Sequence, residues 1–379
     1  MNACFATILI ALCAISMWAN AQNSSESKLP ASAEDGWQQC TRLATDPAAR
    51  LACFDRWAQS QALPVPTPAA PEAAASAPPA SPAAQPTAAI EPDCRTGPES
   101  ELSRFWELEA GSDCGRFRIR GYRPVSLSWI ASDTVNRAPS SDTPGHTGDY
   151  QPFQQSEGRI QLSVRTKIGQ GFLPVEASGG RDSLWFAYSQ QSYWQLFTPS
   201  LSRPFRSTDH EPEVIYMLPT DAALPLGWRL RYSGVSINHQ SNGQTLPLSR
   251  SWNRIIVMAG MEKGERFTLT GRLWQRMPEE ADSDDNPGIS DYIGRAELTG
   301  AWQADKNNTL ALTVRHSLNH AANGSLRLEW LSKLGDSGRR GRDSGLRFHT
   351  QLFSGYGDSL MDYNRWRTVL SIGLSLVDW

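Results

Sequence analysis

Beyond its first twenty residues the chain has no uninterrupted apolar run long enough to cross a bilayer as a helix. That excludes a helical membrane protein. There is no excess of basic residues: Lys and Arg number 36 against 39 Asp and Glu, giving a net charge of −3. The electrostatic footprint of a nucleic-acid binder is missing, and no nucleic-acid partner is expected. No phosphate-cradling glycine loop stands out, and the cysteine spacings do not match the CxxC pairs of zinc sites. The mean hydropathy of −0.44 leaves a membrane β-barrel open, because alternating strands average to mild hydropathy. With 379 residues, 40% of them hydrophobic, the chain has ample material for one large domain plus extensions.

What is present begins with "MNACFATILIALCAISMWANAQ", an apolar core from Phe5 to Met17 followed by Ala19-Asn20-Ala21. This reads as a secretory signal over residues 1–21, although its n-region carries no Lys or Arg. A lipoprotein site at Cys13 is disfavoured, since Leu12 stands where a small residue belongs. Cys40, Cys53, Cys94 and Cys114 remain after the signal. An even set in an exported chain suggests disulfides. Proximity favours Cys40–Cys53 and Cys94–Cys114, but three pairings are open.

Residues 22–62 form a small Cys-containing segment. Trp37, Leu43, Leu51, Phe54 and Trp57 suggest a helical hairpin turning at Asp46-Pro47, best read as a disulfide-tied cap. Residues 63–92 are Ala/Pro-rich and cannot build a core; they read as an extended, solvated tether. A pre-barrel segment, 93–118, contains "ESELSRFWEL", which suggests a short helix.

From 119 to 379 about twelve alternating segments recur, separated by turn signals such as Lys263-Gly264, Asp305 to Asn308 and Ala322-Asn323-Gly324. In "TLALTVRHSL", Leu310, Leu312 and Val314 alternate with Ala311, Thr313 and Arg315; in "SLRLEWLSKL", Leu326, Leu328 and Trp330 alternate with Arg327, Glu329 and Leu331. A soluble sandwich alternates too, with its polar face outward and similar loops at both ends. Here the pattern fits apolar-out and polar-in, with Trp and Tyr near strand ends. The last strand, through Leu370, Ile372, Leu374 and Leu376 to Trp379, looks like one read by outer-membrane assembly machinery. The expected fold is all-β: a twelve-stranded antiparallel transmembrane β-barrel, preceded by the small helical segment and the Pro/Ala linker. The expected location is the outer membrane of a Gram-negative cell.

The chemistry is sought in "NHQSNGQTLPLSRSWN", residues 238–253. On a strand, residues two apart share a face with Cα atoms roughly 7 Å apart. His239 and Ser241 therefore point the same way, and leaning brings Nε2 to Oγ. An imidazole removes the proton that makes Ser a poor nucleophile. Antiparallel pairing with a strand starting near Ser251 puts Asn253 beside His239, where its carbonyl can accept from Nδ1–H and leave Nε2 as base. A polar hairpin is the plainer reading, since Ser-Asn-Gly is a good turn.

"NHQSNG" followed by "SRSWNR" resembles the active region of the bacterial outer-membrane phospholipase A family. "YSQQSYWQL" (188–196), "SRPFRSTDHEPEV" (202–214), "DDNPGISDYIG" (284–294) and "GYGDSLMDYN" (355–364) match in order, so the resemblance covers most of 120–379. It implies a calcium-dependent esterase acting on acyl esters of phospholipids and lysophospholipids. By resemblance Ser241 is the nucleophile, His239 the base and Asn253 the orienting group. Gln190 matches a Gln that bonds the Asn, and the Gly243 N–H is the oxyanion donor. The calcium ligands map to the Ser249 hydroxyl, the main-chain carbonyl of Gln244 (an Arg in the family) and Ser202 from a second subunit. One carboxylate of a further calcium site falls at Leu246, which cannot ligate; Asp285 matches its partner. Homodimerisation completes the site and is the implied switch. The triad should lie on the lipid-facing wall, interrupting it with a hydrogen-bonded polar row.

A passive or structural barrel with a degenerate site is the alternative, as is a barrel that anchors an N-terminal arm with a periplasmic partner. Of the remaining histidines only His316 and His320 fall four apart, too long on a strand for one metal, so solvated side chains are expected. "GRRGRD" (338–343) and "ADSDDN" (281–286) read as exposed loops, the first with anionic headgroups as a lesser alternative.

Overall fold

The computed structural model describes residue 40 and residues 46–61, 99–173, 180–335 and 345–376. The expected signal, the linker and Trp379 lie outside them. The chain divides into two units, residues 1–87 and 88–379. In the first, helix α1 spans Pro47–Gln61. Asp46 starts it: its Oδ1 accepts from the N–H groups of Ala48 and Ala49 at 3.0 and 3.1 Å. Pro47 then fills the first helical position, where no N–H is needed. Cys40 and Cys53 are disulfide-bonded, as proximity favours. Cys114, in the second unit, is also disulfide-bonded; Cys94 lies outside the described residues.

The second unit opens with helix α2, Glu101–Trp106, capped by Ser100, whose hydroxyl accepts from the Ser103 N–H. A two-residue strand β1, Arg120–Gly121, pairs with β3. Twelve strands then form the wall: β2 (Val125–Ser132), β3 (Ser156–Gln170), β4 (Ser183–Trp194), β5 (Ser207–Ala223), β6 (Arg229–Ser241), β7 (Ser251–Lys263), β8 (Phe267–Arg276), β9 (Ala296–Gln303), β10 (Asn308–His316), β11 (Gly324–Lys333), β12 (Leu346–Gly355) and β13 (Arg367–Leu376). Each pairs antiparallel with its neighbour in sequence, and β13 pairs with β2, with Leu370 opposite Ala131. Closure leaves no edge strand, which is how a sheet satisfies its backbone in lipid.

The faces follow the alternation. Leu370, Ile372, Leu374 and Leu376 are exposed, while Ser371 and Ser375 between them are buried. Aromatic side chains gather at the rim: Phe267 stacks on Trp302 at 6.3 Å, and Trp330 meets Phe348 edge-on at 6.0 Å. These are the apolar band and aromatic girdle of an outer-membrane barrel. Inside are paired charges, among them Arg206–Glu157 at 2.6 Å, Arg315–Glu297 at 2.7 Å and Arg123–Glu211 at 2.8 Å. Trp106 of α2 is buried against Tyr122, Trp185 and Tyr232.

The two rims differ. The β5–β6, β7–β8 and β9–β10 connections are residues 224–228, 264–266 and 304–307. Asp305 ties the last of these, accepting from the N–H groups of Asn307 and Asn308 at 2.7 and 2.9 Å. The opposite rim carries residues 133–155, 195–206, 242–250 and 277–295. These three turns are shorter than the four loops opposite, while the β3–β4 and β11–β12 connections on their own rim, 171–182 and 334–345, are longer. Helix α3, Ile289–Tyr292, lies in the 277–295 loop.

β5 starts earlier than its apolar stretch "EVIYML" suggests. Its first third, Ser207 to Pro212, is polar, yet it pairs with β4 throughout, including Tyr188 with Pro212. Toward β6 the ladder passes from His210–Ser241 to Glu213–Asn238. Pro212 has no N–H to donate there.

Candidate active site

The site forms where β6 ends at the long-loop rim. Along β6, Val235 and Ile237 are exposed, and His239 and Ser241 continue the same face, half-buried. Ser236 and Asn238 face inward and are buried. Along β7, Asn253 continues the face of the exposed Ile255 and Val257. The register puts His239 directly opposite Asn253, and Oδ1 of Asn253 lies 2.8 Å from Nδ1 of His239. An amide oxygen can only accept, so the proton sits on Nδ1 and Nε2 keeps its lone pair. These polar groups thus stand on the outer wall.

The loop after Ser241 is organised by Asn242, which the sequence reading passed over as a turn residue. Asn242 is buried, and its Oδ1 accepts from the N–H groups of Arg250 at 3.0 Å and Gln244 at 3.3 Å. Its Nδ2 donates to the Leu248 carbonyl at 2.7 Å. Gly243 follows with φ +62°, a conformation that favours glycine. Arg250 is buried too, donating to the carbonyls of Ser249 at 2.6 Å and His146 at 3.0 Å. Burial holds its guanidinium below the usual range, against the opposing pull of Tyr363 and Asp285.

Gln190 does not reach Asn253. β5 and β6 separate β4 from β7, and each strand step is roughly 4.8 Å. Gln190 instead meets Tyr188 and Ser192: its carboxamide lies 3.0 Å from the Tyr188 hydroxyl and 3.2 Å from Ser192 Oγ. The amide of Asn253 points to Glu279 Oε1, 3.4 Å away. The single hydrogen-bonded row expected on the wall is therefore two separate groups.

Two of the expected calcium ligands meet: the Ser249 hydroxyl donates to Asp285 Oδ2 at 2.5 Å. Ser251 Oγ is 3.4 Å from the same oxygen. Gln244 lies in the same loop, exposed, and Leu246 is exposed beside it. Ser202 is held in the β4–β5 loop, donating to the Pro199 carbonyl at 3.2 Å. Hydroxyl, carboxylate and main-chain carbonyl oxygens suit a hard cation, and the single carboxylate predicts modest affinity. Among the described residues no group of three or more His, Cys, Asp or Glu side chains could hold a metal.

His320 is exposed and His316 half-buried, while three other histidines are held by neighbours. His146 is buried with Nε2 3.0 Å from Asp285 Oδ1, and His349 is buried beside Glu329 at 3.1 Å. His210 contacts Tyr188 at 2.7 Å.

Residues 102–376 match the family model described as phospholipase A1. The chain belongs to the phospholipase A1 family. A putative phospholipase A1 of Neisseria meningitidis is 32% identical over 365 residues, covering 90% of both chains. Phospholipase A1 of Escherichia coli is 31% identical over 233 residues, 59% of this chain and 71% of the relative. Among solved structures, the Salmonella typhi outer-membrane phospholipase dimer with bound calcium superposes with a TM-score of 0.59. It is 27% identical and covers 70% of this chain and 94% of that one. The Escherichia coli outer-membrane phospholipase A gives a TM-score of 0.58 at 27% identity. This phospholipase A1 family member is an outer-membrane-type barrel and a phospholipase.

Proposed function

We propose that this phospholipase cleaves acyl ester bonds of phospholipids and lysophospholipids with a Ser241–His239–Asn253 triad, depends on calcium, and is activated by pairing of two barrels. The observation that carries the reading is the 2.8 Å contact from Asn253 Oδ1 to His239 Nδ1 on the outer wall, with Ser241 two residues along the same face. A substrate lipid in the bilayer meets that face without leaving the membrane.

The steps follow from the groups. Nε2 of His239 takes the Ser241 proton as Oγ attacks the ester carbonyl. The Gly243 N–H donates to the oxyanion. The imidazolium then protonates the leaving alcohol, and a water deprotonated by His239 clears the acyl-enzyme. Asn253 holds the ring through both proton transfers. Because Asn is neutral, it orients the imidazole but stabilises its charge less than a carboxylate. Asn253→Ala is expected to lower kcat about 10²-fold without loss of the barrel; turnover within about twofold of the parent would remove Asn253 from the triad.

Calcium held by Ser249 and the Gln244 carbonyl, with Ser202 of a second copy, would supply positive charge beside the developing oxyanion, and Asp285, hydrogen-bonded to Ser249, belongs to the further site that Leu246 leaves incomplete. The support is the oxygen-rich donor set and the calcium-bound dimer among the structural relatives. Fatty-acid release by the purified protein in mixed micelles is the test. Chelation is expected to lower turnover about 10²-fold and to reduce crosslinked pairs in parallel. Full turnover after chelation, or in a proven monomer, would overturn the calcium and pairing parts.

A further inference from the structure

Ser241 has a second imidazole beside it. His210 on β5 is paired with Ser241 on β6 and with Gln190 on β4. Directly opposed residues on antiparallel strands keep their Cα atoms about 4.5–5.5 Å apart. His210 therefore borders Ser241 across the sheet as His239 borders it along the strand. Its position continues the outward face of the exposed Val214.

Among the described residues the ring is anchored at Nδ1. Nδ1 lies 2.7 Å from the Tyr188 hydroxyl, which also lies 3.0 Å from Gln190 Oε1. The other edge turns to the loop: a Cβ added to Gly243 would sit 3.6 Å from both Nε2 and Cδ2 of His210. This is the edge beside the main chain that donates to the oxyanion.

We propose that His210 is a second oxyanion donor, its Nε2–H acting with the Gly243 N–H on the carbonyl oxygen of the ester that Ser241 attacks. The inference rests on the reading of Ser241 as nucleophile. The partners of the two imidazoles separate their roles. Asn253 Oδ1 only accepts, so His239 keeps a bare Nε2 and serves as base. A phenol can donate, and the imidazole is the nearer of its two neighbours. A proton given by Tyr188 to Nδ1 puts the ring proton of His210 on Nε2. The Gln190 carboxamide, whose oxygen and nitrogen exchange by a half-turn, then donates to the phenol oxygen. Polar groups on a lipid-facing wall are costly unless paired. Tyr188, Gln190 and Ser192 pair with one another and with Nδ1, which among the described residues leaves the Nε2 edge of His210 for the substrate.

The experiment uses the full-length protein with calcium in mixed micelles and four variants. His210→Phe keeps a ring and removes the donor; His210→Gln returns an N–H near the Nε2 position. His210→Phe is expected to lower kcat about tenfold with KM within about twofold, and to slow phosphonylation of Ser241 by a phosphonate ester equally. His210→Gln is expected to recover most of the loss in both readouts. Parental kcat in His210→Phe, or no recovery in His210→Gln, would overturn the proposal. If His210→Phe fails to form the barrel, Tyr188→Phe unanchors the ring instead; a fall in kcat of about threefold or more supports the assignment and an unchanged kcat overturns it. Ser241→Ala separates the two levels: turnover surviving in it sinks the nucleophile itself, whatever the His210 variants do.

Discussion

Ser241→Ala is expected to cut fatty-acid release by about 10⁴-fold or more while leaving lipid binding and the barrel intact. The size of the effect follows from what is removed. Without Oγ no acyl-enzyme forms, and His239 has only water to activate. The oxyanion donors and the positioning of the lipid remain, and they give the residual rate. His239→Ala should fall nearly as far, and the double variant little further, because nucleophile and base act as one unit. No rearrangement is expected: Ser241 is half-buried at the end of β6, and its strand pairs with β5 and β7 through backbone groups. Lipid binding, gel mobility of the folded barrel and release of labelled fatty acid check the three parts. Ser241→Ala with more than about a hundredth of the parental rate would point to another nucleophile.

Most of the wall was legible because a barrel strand carries its two environments in alternate letters. Leu326, Leu328 and Trp330 against Arg327 and Glu329 is such a pattern, and all three apolar residues are exposed on the outer face. The pairing of His239 with Asn253 was legible for a related reason: consecutive strands pair antiparallel, and that ladder places partners. What failed were relations between strands that are not neighbours. Gln190 looked like a partner of Asn253 because the family resemblance carries residues without distances. The ladder shows two strands between them.

The start of β5 was hidden for a different reason. "STDHEPE" has neither alternation nor apolar residues, and a Pro within it argues against a central strand. Neighbouring strands override that local signal: β5 pairs with β4 through Pro212 and keeps one register toward β6 from His210 to Glu213. The cost of missing it was His210, which becomes a neighbour of Ser241 only once β5 is extended back to Ser207. His146 and Asp285 were hidden similarly, 139 residues apart in sequence and joined only by two long loops.

The second large effect is on stability. Glu157→Ala is expected to destabilise the folded barrel by about 3–5 kcal/mol, the usual cost of removing one partner from a buried ion pair. Glu157 accepts from Arg206 Nε at 2.6 Å and Nη2 at 3.0 Å, and from Gln195 Nε2 at 2.8 Å. Arg367 stands 4.0 Å away and is shared with Asp362 at 2.6 Å and Asp358 at 3.4 Å. All of these charged side chains are buried inside the barrel. Removing Glu157 leaves Arg206, Arg367 and Arg159 to share Asp358 and Asp362, and strips Arg206 of its bidentate partner. The half-exposed pair Asp291–Arg295 at 2.8 Å is the control: Asp291→Asn should cost no more than about 1 kcal/mol. Urea unfolding in lipid vesicles, followed by tryptophan fluorescence, measures both. Below the transition Glu157→Ala should hydrolyse lipid at close to the parental rate, since Glu157 faces the lumen and the His239–Asn253 pair faces outward. Equal midpoints for the two variants would mean that the lumenal pairs do not hold the wall together; a large loss of turnover in folded Glu157→Ala would mean that they also set the geometry of the site.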